Sequence, residues 1–200
     1  MPVNLPAQPP VTGVVLCGGR ARRMDGTDKG LVVLRGRPLI AHVLERFGPQ
    51  VDEVLVNANR NLDTYRGFGP SVIEDDIAGF PGPLAGVRCG LTRAAHTLVA
   101  TVPCDAPALP GDLVVRLTAA LREQGATAAV ASSGGRNQPV FALYRRDCLP
   151  ALDAFLAAGG RKVDDWHTQL SAVHVDFGSA ADAFANINTP EDLARAERSV

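Results

Sequence analysis

The chain has 200 residues, with 20 basic against 21 acidic side chains and a net charge of -1, enough for one domain or one with a small appendage. A hydrophobic content of 46% supplies a core without disulfide or metal staples. The balanced charge leaves no global field for nucleic acid or an anionic membrane, so any phosphate site has to be local. No segment approaches the ~18 consecutive apolar residues of a membrane-spanning helix.

The opening MPVNLPAQPP carries four prolines, no basic residue and no apolar stretch, so it is not a signal peptide. Residues 1–10 are expected to be a disordered leader, 11–200 a single domain, and the location cytoplasmic. Cys17, Cys89, Cys104 and Cys148 form no CxxC, and the four histidines form no HxxxH or HExxH. Zinc is therefore poorly supported, and buried free thiols in a reducing compartment are expected.

Val14, Val15 and Leu16 read as a buried strand that breaks at Gly18-Gly19 into a loop bearing Arg20, Arg22, Arg23, Gly26 and Lys29. Glycines admit close approach of backbone N–H groups and the cations neutralise charge, which suits a polyphosphate. The loop matches neither Walker A nor G-x-G-x-x-G. A solvated basic turn after an edge strand is the plain alternative on the residues alone. Leu31 to Leu34 reads as a second short extended piece. Gly36-Arg37-Pro38 then opens a helix whose apolar face is Leu39, Ile40, Val43, Leu44 and Phe47, stopped by Gly48-Pro49. With the strand Val54 to Val56 this makes a βαβ unit and hence a parallel sheet. That strand ends in Asn57-Ala58-Asn59, at the carboxyl edge where open α/β sheets bind ligands.

Ser71 to Glu74 reads as a strand running into Asp75-Asp76. Phe80 to Gly86 is a rigid turn opening a helix to about Ala95. Thr97 to Val102 is an apolar run fitting a strand covered on both faces. It delivers Pro103-Cys104-Asp105 to the ligand edge, where the Asp105 charge needs either a divalent metal or an arginine partner. Leu113 to Leu121 (helix), Ala126 to Ala131 (strand), 132–137 (flexible polar loop), Pro139 to Tyr144 (strand) and Leu149 to Leu156 (helix) follow. Gly159-Gly160-Arg161-Lys162 is either a second basic ligand turn or a helix-ending Schellman turn. Val173 to Phe177 is a late strand, and Thr189-Pro190-Glu191-Asp192 begins a last helix after Asn186-Ile187-Asn188. Roughly seven strands alternating with five or six helices predict a three-layer αβα sandwich around a mostly parallel sheet. Gly18, Gly19, Lys29, Asn57, Asp75 and Asp105 gather at its carboxyl edge.

LCGGRARRMDGTDKGLVVLRGRPLI resembles the L-A-G-G-x-x-x-R-M-G-x-D-K signature of Rossmann-like nucleotidyltransferases. VNANRNLDTY, VIEDDIAGFPGPLAG, PCDAPALP and NINTPEDLARAE extend the likeness, which within that group is to the molybdenum cofactor guanylyltransferases. The resemblance implies transfer of GMP from GTP to the terminal phosphate of molybdenum-bound molybdopterin, with pyrophosphate leaving and Mg2+ as cofactor. It carries GTP contacts onto Leu16, Cys17, Gly18, Lys29, Asn57, Asp75 and Asp105, the last also as magnesium ligand. Gly19 and Arg23 fall on signature positions, and Asn186 and Asn188 on a pair at the pterin end. Arg23, Lys29 and Asp105 are the implied catalytic set, acting by charge neutralisation on two converging anions. The attacking phosphate is ionised at neutral pH and needs no general base.

Two residues depart from the signature. Cys17 stands in place of alanine, which puts a thiol beside the phosphates, with the nucleotide contact expected through the backbone. Asp25 stands in place of glycine and adds an anion there. A monomer is expected, in transient contact with molybdenum-insertion and acceptor molybdoenzyme proteins. The rival readings are a cytidylyltransferase on the same pterin, a sugar-phosphate nucleotidyltransferase, and a non-catalytic cofactor-handover protein that binds nucleotide.

Overall fold

Val11–Leu16 forms β1, all six residues buried, because both faces of this β-branched run are covered by helices. In this computed structural model residues 9–17, 28–77, 82–179 and 181–198 are described, without the side chain of Ala181. After β1 come the two-residue strands β2 (Val33–Leu34) and β3 (Arg37–Pro38), α1 (Leu39–Phe47), β4 (Glu53–Asn57), α2 (Leu62–Arg66) and β5 (Ser71–Ile73). The second half contains α3 (Pro83–Arg93), β6 (Leu98–Pro103), α4 (Leu113–Glu123), β7 (Ala128–Ser133), β8 (Arg136–Arg145), α5 (Leu149–Ala157), α6 (Val163–Gln169), β9 (Val173–Asp176) and α7 (Pro190–Arg198).

Seven strands form one sheet in the order β5-β4-β1-β6-β8-β7-β9, and β2 and β3 pair separately. The ladders from β5 to β6 are parallel. β8 runs antiparallel to both β6 and β7, and β9 is parallel to β7. Alternate side chains of β1 feed opposite cores, as the two-residue period requires. Val15 packs with Ile40, Val43, Phe47, Leu113 and Leu117 on the α1/α4 side. Val14 and Leu16 pack with Leu84, Val87, Leu91, Leu152 and Trp166 on the α3/α5/α6 side. The expected αβα sandwich with a mostly parallel sheet is the observed one.

Four local differences have physical causes. Residues 132–137 are not a flexible loop. β7 continues to Ser133 and β8 starts at Arg136, with Ser133 opposite Arg136 across Gly134 (φ 56) and Gly135 (φ 72). Two positive φ values in succession make the hairpin turn that glycines allow. Leu31 to Leu34 is extended only at Val33–Leu34; Lys29–Leu31 is a 3-10 turn. Pro38, at φ -58 and ψ 146, lies in β3 one residue ahead of α1. Finally, α2 has five residues, too few for a helical period to register in the sequence.

The two helix boundaries read from the sequence are built as chemistry requires. Gly159 N–H donates to Leu156 O at 3.0 Å and Gly160 N–H to Phe155 O at 2.9 Å, with Gly159 at φ 91. This is a Schellman end to α5, so the helix-ending alternative for Gly159 to Lys162 is the one realised. At the start of α7, Asp192 N–H donates to Thr189 Oγ1 at 3.1 Å while Asp192 Oδ2 accepts from Asn188 N–H and Thr189 N–H at 3.1 Å each. The reciprocal bonds form a capping box and hold the Asp192 carboxyl below its ordinary range.

Candidate active site

The chain leaves β1 through α1 to β4 and β5 on one side, then returns through α3 to β6 on the other. This reversal opens a crevice between the carboxyl ends of β1 and β6, where α/β sheets bind ligands. Leu16 lies opposite both Asn57 and Pro103, and Asn57 opposite Ile73. The residues that follow these four positions therefore emerge along one edge.

On the β6 side, Asp105 is 5% exposed. Lys29 Nζ reaches its Oδ2 at 3.1 Å and also donates to Asn188 Oδ1. The backbone carbonyl of Asp105 accepts from Ile187 N–H at 2.8 Å, which ties the segment 186–188 to the same strand end. Burial pushes the Asp105 carboxyl above its ordinary value of 3.8, against the opposing pull of the Lys29 charge and hydrogen bond. The cation partner of Asp105 is thus a lysine from the loop after β1, not an arginine. Asn186 is exposed, while Asn188 is half-buried.

On the β4 side, Asn57 Nδ2 donates to Asp75 Oδ1 at 2.9 Å and Asn59 Nδ2 to Asp75 Oδ2 at 2.7 Å. Asp75 N–H returns a bond to Asn59 Oδ1 at 2.9 Å. Both carboxylate oxygens are fixed by neutral amides. The sequence places Asn59 at the ligand edge with Asn57 but gives it no site role; its bonds to Asp75 supply one. Gly86, in the second turn of α3, permits this arrangement, because a Cβ there would overlap Asn57 Oδ1 and lie 2.7 Å from Leu16 Cδ2.

Leu16 O accepts from Cys104 N–H at 3.2 Å and Cys17 N–H donates to Asn57 O at 2.8 Å. The Cys17 N–H is therefore engaged within the sheet. Its thiol is buried and directed to Val15 O at 3.9 Å, in the same core cluster as Cys104. A hydrogen bond with Cys17 and burial push the Cys104 thiol well above the ordinary range. All four cysteines are buried and free. Gly18, Gly19, Arg20, Arg22, Arg23, Asp25 and Gly26, together with Phe80 and Pro81, lie outside the described residues.

Among the described residues no three His, Cys, Asp or Glu side chains gather into an all-protein metal cage. A single recessed carboxylate is the donor type a hard cation takes when phosphates and waters complete its shell. Asp105 fits that role.

A family model described as a MobA-like NTP transferase domain matches residues 13–172. The chain belongs to that family. It is 45% identical to the molybdenum cofactor guanylyltransferase of Shewanella amazonensis over 95% of this chain and 97% of that one. The protein of the same name from Shewanella sediminis is 48% identical over 90% of this chain and 92% of its own. Among solved structures, the molybdopterin-guanine dinucleotide biosynthesis protein A of Archaeoglobus fulgidus superposes with a TM-score of 0.78 at 25% identity, over 93% of this chain and 96% of that one. The chain is a nucleotidyltransferase of this MobA-like kind. No helix among the described residues is long and apolar enough to cross a membrane.

Proposed function

We infer that the chain transfers GMP from GTP to the terminal phosphate of molybdenum-bound molybdopterin. The name shared by relatives at 45% and 48% identity supports the base and the acceptor. The observation that carries the reading is the Lys29, Asp105 and Asn188 cluster at the sheet's carboxyl edge. It sets one partly exposed cation against one recessed carboxylate, as transfer between two anions requires.

A pterin phosphate oxygen attacks the α-phosphorus of GTP. The new P–O bond forms as the bond to the β-phosphate oxygen breaks, and pyrophosphate leaves with the negative charge. The Asp105 carboxylate would hold a divalent cation, Mg2+ in our reading, and a bound cation supplies charge neutralisation to the triphosphate. The Lys29 side chain is 28% exposed against 8% for the side chain of Asp105, so it is the partner able to turn toward substrate. Its ammonium stabilises the charge on departing pyrophosphate, with Arg23 as a second cation able to bind two phosphate oxygens at once. Asn57, Asn59 and Asp75 hold the nucleoside side. Gly18 and Gly19 supply backbone to the phosphates, Leu16 and Cys17, whose backbone the sheet already engages, lead the chain from β1 into that loop, and Asn186 and Asn188 face the pterin. The four buried thiols suit a reducing cytoplasm. We place the enzyme there as a monomer that meets molybdenum-insertion and acceptor molybdoenzyme proteins transiently.

Thermal melting with GTP, CTP, ATP and UTP, each with and without magnesium, tests the nucleotide. A ligand at 100 times its Kd adds about 2.7 kcal/mol of stability. GTP with magnesium is expected to raise Tm more than any other nucleotide. A rise with CTP and none with GTP would overturn the guanine assignment in favour of cytidylyl transfer.

A further inference from the structure

Asp28 begins the 3-10 turn that carries Lys29, yet its side chain caps nothing in that turn. It is buried, and it accepts from Tyr65 OH at 2.5 Å and from Asn61 Nδ2 at 3.0 Å. Both donors belong to α2 and the residue ahead of it, 33 and 37 positions down the chain. A buried carboxylate is costly unless donors meet its charge. Here two neutral donors do so, and the neighbouring ammonium of Lys29 is left to Asp105 and Asn188.

The turn is held on its other side as well. A Cβ on Gly30 would come 2.5 Å from Tyr65 Oη and 3.3 Å from Cys104 Sγ, so the backbone after Lys29 rests directly on the same hydroxyl that grips the residue before it. Tyr65 has no exposed surface. Burial above all, with the Asp28 hydrogen bond and charge contributing, raises its hydroxyl far above its ordinary value and keeps it protonated as a donor. Asn61 sits at φ 52 and ψ 35, a left-handed conformation asparagine tolerates better than most residues, and from there its amide reaches Asp28.

We propose that Asp28, Tyr65 and Asn61 form a clasp that positions Lys29 for the triphosphate. This rests on the reading of Lys29 as a triphosphate ligand. The three are positioning residues: they act through the placement of the Lys29 backbone, and neither donor touches the Lys29 ammonium. Lysine is a flexible point charge on a long stem, so its usefulness at one phosphate depends on where its backbone is fixed. A displacement of about 1 Å at a catalytic group costs on the order of 100-fold in rate.

A double-mutant cycle between Tyr65→Phe and Lys29→Ala tests the clasp, read in kcat for GMP transfer, in the GTP dissociation constant and in Tm. Asn61→Gly is the second variant, because glycine accepts the left-handed backbone and removes only the amide. The expected result is a fall of about tenfold in kcat for Tyr65→Phe, and a fall in the same direction for Asn61→Gly. In the Lys29→Ala background the same changes should alter residual kcat or GTP affinity by less than about twofold, because residues that act as a unit are not additive. Equal losses in both backgrounds would overturn the clasp in favour of a general structural role. Full kcat in both Tyr65→Phe and Asn61→Gly, with Lys29→Ala impaired, would overturn the clasp alone. Full activity of Lys29→Ala would instead overturn the reading of Lys29.

Discussion

Lys29 and Asp105, 76 positions apart in the chain, meet at 3.1 Å across the crevice between β1 and β6. Asp105 is the buried partner and its carboxyl is pushed up by desolvation, while Lys29 compensates it and stays partly open to solvent. Truncating either residue should therefore have a different consequence.

Asp105→Asn is expected to lower transfer by at least about 100-fold with little change in Tm. The variant removes a buried charge and leaves behind only a lysine that solvent can reach. Pyrophosphate release with magnesium, together with a melting curve, checks this. Full magnesium-dependent activity would refute a metal role for Asp105.

Lys29→Ala should lose far more rate than Arg20→Ala, because Lys29 is held on Asp105 and Asn188 at the sheet's carboxyl edge. It should also cost stability, on the order of 3 kcal/mol at neutral pH, since a buried carboxylate loses its counter-charge. The sign with pH follows from the raised carboxyl of Asp105. A folded-state value above the unfolded one contributes stability that is present in acid and is lost as pH rises through it. Removing Lys29 takes away the pull that holds Asp105 down, so the window should extend to higher pH. Melting of the variant from pH 4 to 8 should show a Tm that recovers on acidification, and equal rate losses in the two variants would mean the loop acts as a diffuse basic patch.

A second titrating group lies far from the crevice. His167 is 3% exposed, and its Nε2 meets Tyr144 OH at 2.7 Å. Burial lowers its pKa from 6.5 to about 4. The stability it contributes is present above pH 6.5 and is lost as pH falls toward 4, by up to about 3 kcal/mol. His167→Phe should flatten that part of the stability–pH curve, and an unchanged slope would assign the acid loss to other groups.

Gly86→Ala should weaken GTP binding by about tenfold, because a methyl group there displaces the Asn57 amide that holds Asp75. A titration of GTP against this variant in magnesium checks it. Unchanged affinity would show that the Asn57–Asp75 bond does not serve the nucleotide.

The sequence was most legible where a local rule has one outcome. The run Val14 to Leu16, the apolar face of α1 and the Thr189 to Asp192 capping box each follow from spacing within a few residues. Gly134-Gly135 was harder, because paired glycines serve a mobile loop and a tight hairpin equally well. Only the ladder from Ser133 to Arg136 decides between them. The lysine on Asp105, the Asn59 bond to Asp75 and the burial of Asp28 against Tyr65 are all long-range. No periodicity in a single sequence encodes which distant donor a carboxylate will meet. The crevice itself was readable, because strand ends in a βαβ fold share one edge whatever their side chains do.

The most direct test of the account is pyrophosphate release with molybdenum-bound molybdopterin as acceptor, comparing GTP with CTP in the presence and absence of magnesium. Release with GTP is expected to depend on both the pterin and the metal, and to be abolished by Asp105→Asn. Release from CTP in preference to GTP, or release from GTP that needs no pterin, would contradict it.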